Sequence, residues 1–182
     1  MANLIQKPTQ TSGLVPQEQA GQYLTFLIAG ESFAVSILDV KEIIEITNVT
    51  HVPLTPDFIY GVINLRGNVV PVIDLSARLK NRRAEISKRS CIVLVAVETA
   101  ESSQLIGMLV DEVREILEIP ATNIQPPPDF GADIRTDFIQ AMARVNDVFI
   151  ILLAMNRVLS LEELSQLHTM TQSQESADTS AN

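Results

Sequence analysis

Gly61-Val-Ile-Asn-Leu-Arg-Gly-Asn-Val-Val-Pro-Val-Ile-Asp-Leu75 reads as two apolar strands around one polar turn, Asn64-Leu65-Arg66-Gly67-Asn68. Short runs of valine and isoleucine bounded by Asn and Gly are strand and turn signals. Arg66 is the only charged residue between Asp57 and Asp74. A lone guanidinium on a turn between buried strands has two readings. A local carboxylate, Asp74 or another, pins it and fixes the turn. Alternatively, its planar fork of donors is held out for the carboxylates or carbonyls of a partner. Gly67 is needed for a positive φ or a close approach, and Asn64 is expected to bond the turn backbone.

The chain repeats itself. Leu38-Asp-Val-Lys-Glu-Ile-Ile-Glu45 and Asp111-Glu-Val-Arg-Glu-Ile-Leu-Glu118 share the pattern V-[KR]-E-I-[IL]-E, and 73 positions separate Val40 from Val113. Around this anchor, Tyr23–Ala29 matches Cys91–Val97, and Phe33–Ile37 matches Leu105–Val110. Further on, Pro56-Asp-Phe58 matches Pro128-Asp-Phe130, and Asn68–Asp74 matches Asp147–Leu153. Two copies are too few for a solenoid, which needs three or more, so they predict one small architecture used twice. Each copy reads as about five short strands with spaced turns, the signature of a small barrel. The copies span approximately 21–80 and 90–160, with strand exchange between them left open. A copy of about 65 residues has little core of its own, so the two must share an apolar interface.

Local signals place the remaining elements. Pro71 has no amide donor and is expected at a sheet edge or a bulge. A short helix starts at Ser76-Ala-Arg-Leu79. Ser160-Leu-Glu-Glu163 is a capping box that opens a helix through about Leu167. Residues 1–20 and the serine-rich stretch 168–182 read as flexible tails around a domain at 21–167. Pro126-Pro-Pro128 reads as a stiff connector.

The 182 residues suffice for one domain or two small subdomains. The longest apolar runs fall far short of the ~20 residues of a membrane span, and Met1–Gln22 carries no apolar signal core. Both point to the cytoplasm without membrane insertion. A net charge of −9 argues against a nucleic-acid partner, because neutralising phosphates needs an excess of Lys and Arg. One basic island, Arg78, Lys80, Arg82, Arg83, Lys88 and Arg89, holds six of the thirteen Lys and Arg. It reads as a solvated linker, or as an electrostatic contact with an acidic partner or a neighbouring subunit.

Little in the chain suggests catalysis. Cys91, the single cysteine, lies in an apolar strand and reads as an inert core thiol. Asp111 follows a buried strand and reads as a turn cap. His51 and His168 lack ligand spacing, so no metal site is expected. No Gly-rich phosphate loop or nucleotide fingerprint appears, so no cofactor is expected. An enzyme would need convergent acid and base groups, and none stand out.

The pattern G-V-x-N-L-R-G-x-V-V-P-V-x-D-L resembles the signature of CheW-like domains, the coupling proteins of bacterial chemosensory arrays, and the likeness runs from about Gln22 to Leu164. The resemblance implies two pseudo-repeated five-stranded SH3-like β-barrels packed together, with short helices and a C-terminal helix. It implies a non-catalytic adaptor between the cytoplasmic tip of a methyl-accepting chemotaxis-type receptor and the regulatory domain of a CheA-type histidine kinase. Arg66 would then lie in the groove between the barrels. Val40, Glu42 and Ile43, otherwise a core strand edge, would meet the receptor hairpin, with Gly61, Asn64, Leu65 and Gly67 lining or shaping the same groove. Val113, Glu115 and Ile116 repeat that chemistry, so the duplication leaves open which copy binds. The chain departs from the family pattern in two places. Phe138–Asp147 lacks the glycine that often precedes the equivalent turn, and Leu153-Ala154-Met155 lacks the usual aspartate. These differences fit either flagellar chemotaxis or a branch serving type IV pili.

Overall fold

The computed structural model describes residues 21–99, 102–128 and 136–179. The first half contributes β1 (Gly21–Ile28), β2 (Glu31–Ser36), β3 (Val40–Glu45), β4 (Ile59–Leu65), β5 (Asn68–Asp74) and the short helix α1 (Leu75–Lys80). The second half contributes β6 (Cys91–Glu98), β7 (Ser103–Val110), β8 (Glu112–Ile119), the two-residue β9 (Ile124–Gln125), β10 (Ile139–Val145) and β11 (Val148–Leu153). Helices α2 (Met155–Val158) and α3 (Leu161–Thr179) follow.

These strands form two sheets, in the orders β8-β1-β2-β11-β10-β9 and β3-β6-β7-β5-β4. The architecture is mainly β and SH3-like, used twice. The sheets do not follow the boundary that the sequence draws near residues 80–90. The leading pair of each half joins the last three main strands of the other half: β1 and β2 sit with β8, β10 and β11, and β6 and β7 sit with β3, β4 and β5. Parallel contacts stitch the exchange, Val72 to Gly107 through Asp74 to Leu109 in one sheet and Ile151 to Phe33 with Leu152 to Ala34 in the other.

The period-two alternation of a strand explains why exchange is stable. Along β6, Ile92 and Leu94 point into one barrel, while Val93, Val95 and Val97 point into a core shared by both barrels. In β1, Tyr23 lies in the other barrel interior and Leu24 in the shared core. The shared core draws Phe26, Phe33, Ile73, Met108, Leu153 and Leu164 from both halves, with the rings of Phe26 and Phe33 stacked at 6.3 Å.

Hydrogen bonds revise the repeat. Asp74 N donates to Phe58 O at 2.8 Å, and Ala154 N donates to Phe138 O at 2.9 Å. The partner of Pro56-Asp-Phe58 is therefore Thr136-Asp137-Phe138, and not Pro128-Asp-Phe130, whose last two residues lie outside the described residues. Likewise the hairpin pairs Leu65 with Asn68 and Val145 with Val148, so Asn68 matches Val148 and not Asp147. A tripeptide is too short to fix register, whereas backbone pairing fixes it. Pro71 lies in an inner strand, not an edge strand or bulge. It sits one residue before the pairing with β7 begins at Val72, so β5 is locally unpaired on that side.

Helix α3 opens as the sequence predicts. Ser160 N donates to Glu163 Oε1 at 2.9 Å, and Glu163 N donates to Ser160 Oγ at 3.1 Å. It runs past Leu167 to Thr179. Met170 packs on the shared core and Thr171 is buried. Hydroxyls that made the stretch look non-helical bond backward within it: Thr169 to Ser165 O and Ser173 to Thr169 O.

The basic island dissolves into separate roles. Arg78 is a half-buried strut: Nε donates to Val158 O at 2.8 Å, Nη2 donates to Glu163 at 2.8 Å, and the guanidinium lies 4.7 Å from the centre of the Phe58 ring. It ties α1 to the start of α3. Arg78→Ala should therefore cost about 2–3 kcal/mol and lower the melting temperature by roughly 5–10 °C, measured by circular dichroism. An unchanged midpoint would remove the strut from the account.

Candidate functional site

The turn between β4 and β5 places Arg66 and Gly67 at positive φ, 52° and 88°. Two consecutive residues in this region make the tight hairpin turn whose twist suits antiparallel strands, and Asn-Gly is its usual occupant. Arg66 stands where asparagine is favoured, and a non-glycine residue there costs of order 1 kcal/mol. The equivalent turn of the other barrel uses Asn146 and Asp147, both also at positive φ. A Cβ on Gly67 would meet nothing within 4 Å, so this glycine serves conformation and not space. Asn64 Oδ1 accepts from Gly67 N at 3.0 Å, as expected of the turn asparagine.

Arg66 Nη2 donates to both oxygens of Glu42, at 3.0 and 3.1 Å. The local carboxylate is thus Glu42 and not Asp74. Asp74 is buried and otherwise engaged: its carboxylate accepts from Ala77 N at 3.1 Å, capping α1, and from Ala84 N at 2.9 Å. The Arg66–Glu42 pair spans the two ends of one sheet, because β3 and the β4–β5 hairpin stand at opposite ends of the strand order. The Arg66 side chain is 73% exposed, and its Nε and Nη1 make no hydrogen bond among the described residues. An exposed pair of this kind is worth about 0–1 kcal/mol.

Barrel closure comes instead from the backbone. Thr50 and Val62 exchange two hydrogen bonds of 2.9 Å, joining the chain after β3 to β4. Gly61 permits it: a Cβ there would lie 2.4 Å from Thr50 O and 2.6 Å from a Val49 methyl. Gly61 is buried, so it shapes the site and presents no surface. The other barrel closes in the same way, with β9 pairing Gln125 to Met142 and Ile124 to Ala143.

A β-bulge organises β3. Val40 pairs with Val95 but Glu42 with Leu94, so two residues on one strand oppose one step on the other. Val40 and Ile43, three apart, therefore share the face of Val95 and Val93, which is the shared-core side. Glu42 shares the opposite face with Ile44. Val40 is half-buried against the shared core and Ile43 is 45% exposed. Leu65 is half-buried on the barrel interior. The structure thus brings Glu42 and Arg66 into contact and sets Val40 and Ile43 across the strand from them.

A groove of about 400 Å³ opens between the sheets, lined by Asp39, Glu98, Gln140, Asn156 and Arg157 among others, with Arg66 not among them. Burial raises the Asp39 carboxyl above the ordinary range; Lys41 opposes the shift and Glu98 adds to it. Burial likewise pushes the Cys91 thiol up, partly offset by the Val113 backbone, in keeping with an inert thiol. Asp111 Oδ2 accepts from Ala29 N at 2.8 Å, capping the β1–β2 turn across the sheet. Sequence reading missed Thr25, whose buried hydroxyl donates to Glu115 O at 2.7 Å and accepts from Glu115 N at 3.1 Å in the matching bulge of β8. A threonine inside an apolar strand was the available signal. No cluster of three metal-ligating side chains occurs among the described residues.

Residues 22–163 match the model of the CheW-like domain. The chain belongs to the CheW-like family. It is 35% identical to the chemotaxis protein CheW of Rhizobium meliloti, over 78% of this chain and 89% of that one. It is 30% identical to the chemotaxis protein CheW of Klebsiella aerogenes, over 86% and 92%. The crystal structure of the scaffolding protein TtCheW from Thermoanaerobacter tengcongensis is similar at a TM-score of 0.69 and 33% identity, covering 79% of this chain and 90% of that one. Family membership makes the chain a scaffold of the chemotaxis type. Within this CheW-like frame the two barrels are not equivalent. The second keeps Val113, Glu115 and an exposed Ile116, but Asn146 stands where the first has Arg66, and its Arg144 turns to Asp147 at 2.9 Å.

Two outcomes test this geometry. Gly61→Ala should cost about 1–3 kcal/mol, more than Gly67→Ala, as read from urea midpoints; equal costs would contradict the closure role. Protonated Asp39 is the better-tolerated form, so its stabilising contribution is complete below the unfolded-state pKa and is lost as pH rises through the raised folded value. Asp39→Asn should therefore raise the melting temperature at neutral pH, with the gain shrinking on acidification. A gain independent of pH would contradict it.

Proposed function

We propose that this chain is a cytoplasmic adaptor that couples the tip of a chemoreceptor to a CheA-type histidine kinase, with the first barrel's β3 and β4–β5 turn as receptor contact. Arg66 carries the reading. It is held at a hairpin tip in a backbone conformation that disfavours arginine, it is largely exposed, and among the described residues its pair with Glu42 engages only one of its three nitrogens. A local cost without a local stabilising return is the mark of a residue kept for a partner. Val40 and Ile43 supply apolar area on the shared-core side of β3, Glu42 orients the guanidinium, and Asn64, Leu65, Gly61 and Gly67 hold the turn in place. Asn146 in the other barrel favours the first barrel for this contact. The CheW relatives and the scaffolding protein TtCheW support the assembly role. No helix among the described residues is long and apolar enough to cross a membrane, so the receptor is the membrane component.

The kinase would dock elsewhere, on the second barrel. Val148 and Phe149 are 57% and 47% exposed at the start of β11, and an apolar hairpin end of this kind suits a second barrel of the same fold.

Removing a buried interface arginine costs about 2 kcal/mol, or roughly 30-fold at ~1.4 kcal/mol per decade. Arg66→Ala should keep its melting temperature within about 2 °C, since the exposed pair is weak, yet lose receptor-dependent kinase activation in a reconstituted assay. Exchanging the charges, Arg66→Glu with Glu42→Arg, restores the internal pair and should not restore activation. Full rescue by the exchange would assign Arg66 to the barrel alone.

A further inference from the structure

The groove between the sheets holds a carboxylate that the chain itself leaves without a partner. Asp39, in the turn from β2 to β3, and Glu98, at the end of β6, line it over a floor that includes Val97, Leu153 and Met155 of the shared core. Its volume of about 400 Å³ lies within the ~300–1,000 Å³ of ordinary binding clefts. Asp39 is half-buried, yet its carboxylate accepts no hydrogen bond and forms no ion pair among the described residues. Burial raises its pKa; Lys41 favours the ionised form without outweighing burial, and Glu98 adds to the rise. Glu98 is exposed and accepts from the Ser103 hydroxyl at 2.9 Å. Arg157, the cation that lines the same groove, pairs with neither carboxylate among the described residues.

The turn that carries Asp39 is held in place. Ile37 N donates to Gln22 O, Asp39 N to Ser36 O and Ala96 N to Asp39 O, each at 3.0 Å. An anchored backbone lowers the ordering cost of binding. Two neighbours in the chain add to the surface. Leu38 is 83% exposed, an apolar side chain that nothing in the fold covers. Val40 opens β3, the strand read above as receptor contact.

We infer that this groove receives a cationic side chain of the receptor segment that lies along β3, entering between Asp39 and Glu98 while an apolar neighbour covers Leu38. The inference rests on β3 being the receptor contact and names the chemistry that the groove beside it recognises. A cation there relieves the repulsion between the two carboxylates and supplies the partner that Asp39 lacks. A guanidinium suits the place better than an ammonium, because its planar fork reaches two carboxylates at once. A metal ion is a poorer occupant: the two carboxylates have no third ligating side chain beside them among the described residues. An acidic segment would meet both carboxylates, with Arg157 alone to receive it.

The test measures binding of the full chain to a purified hairpin fragment of a chemoreceptor tip from the same cell. Asp39→Asn should weaken binding roughly tenfold, and the more exposed Glu98→Gln and Leu38→Ser several-fold. Asp39→Asn should at the same time raise the melting temperature of the free chain at neutral pH. Weaker binding by a more stable chain is not what a merely structural aspartate gives. Asp39→Arg should abolish binding, and changing each Arg and Lys of the fragment to Glu in turn should reveal one that restores it. Arg157→Gln should not weaken binding; a loss there would mean that an acidic group enters the groove, and would overturn the inference. So would a scan in which no fragment residue restores Asp39→Arg. If Arg66→Ala abolishes binding while Asp39→Asn and Glu98→Gln leave it unchanged, the inference fails and the receptor contact stands. If the wild-type chain does not bind the fragment, the receptor contact fails and takes the inference with it.

Discussion

Neither half of this chain can cover its own strands. Each sheet borrows its leading pair from the other half, and the residues that make the exchange favourable are those on the alternate faces of β1 and β6. A strand buried on both faces must be apolar at every position, and Cys91-Ile-Val-Leu-Val-Ala-Val97 is such a run. One face fills a barrel and the other fills the core between barrels. Once that shared core is removed from water, separating the barrels would expose Phe26, Phe33, Met108 and their neighbours together. The relative placement of the two barrels is therefore a consequence of packing, and any docking surface built across them is held rigid.

Within that frame the edges are where the two barrels diverge. Both close by backbone pairing of the segment that follows the outermost strand, through Thr50 and Val62 in one and through β9 and β10 in the other. Closure needs Gly61 in the first barrel, where the crossing backbone lies within 2.4 Å of any Cβ. Because the backbone does this work, the Arg66–Glu42 pair above it is free of structural duty. Its exposure makes it weak as a brace and available as a contact. A gene-doubled scaffold can thus differentiate its two halves by one turn residue, arginine in one and asparagine in the other, without disturbing either barrel.

The island of Lys and Arg shows how position divides a charge cluster that looks uniform in sequence. Arg78 is half-buried and joins two helices, Lys80 reaches Glu31, and Arg82 and Arg83 stand in solvent beside Glu85 and Asp57. Partial burial and three contacts make the first an architectural residue, while exposure makes the other pairs weak. The strut at Arg78 is in neither reading of the island, because its partners Val158 and Glu163 lie 80 or more residues away.

The amino-acid sequence alone determined the class of architecture, because strand alternation, spaced turns and the V-[KR]-E-I-[IL]-E repeat are local and survive without contacts. It also marked Arg66, since a single charge in an apolar stretch stands out by composition. It located the capping box of α3, where two side chains and two amides lie within four residues. Tertiary structure decided everything that depends on partners distant in the chain. It decided which strands share a sheet, because exchange and non-exchange bury the same residues and differ only in connection. It chose Glu42 over Asp74 as the mate of Arg66, because sheet curvature brings the two ends of one sheet together. It carried α3 to Thr179, because the burial of Met170 and Thr171 outweighs weak helix propensity. Patterns with a period of two residues are written in the chain; contacts made across 24 or 85 residues, as in Arg66–Glu42 and Arg78–Glu163, exist only once the fold has chosen them.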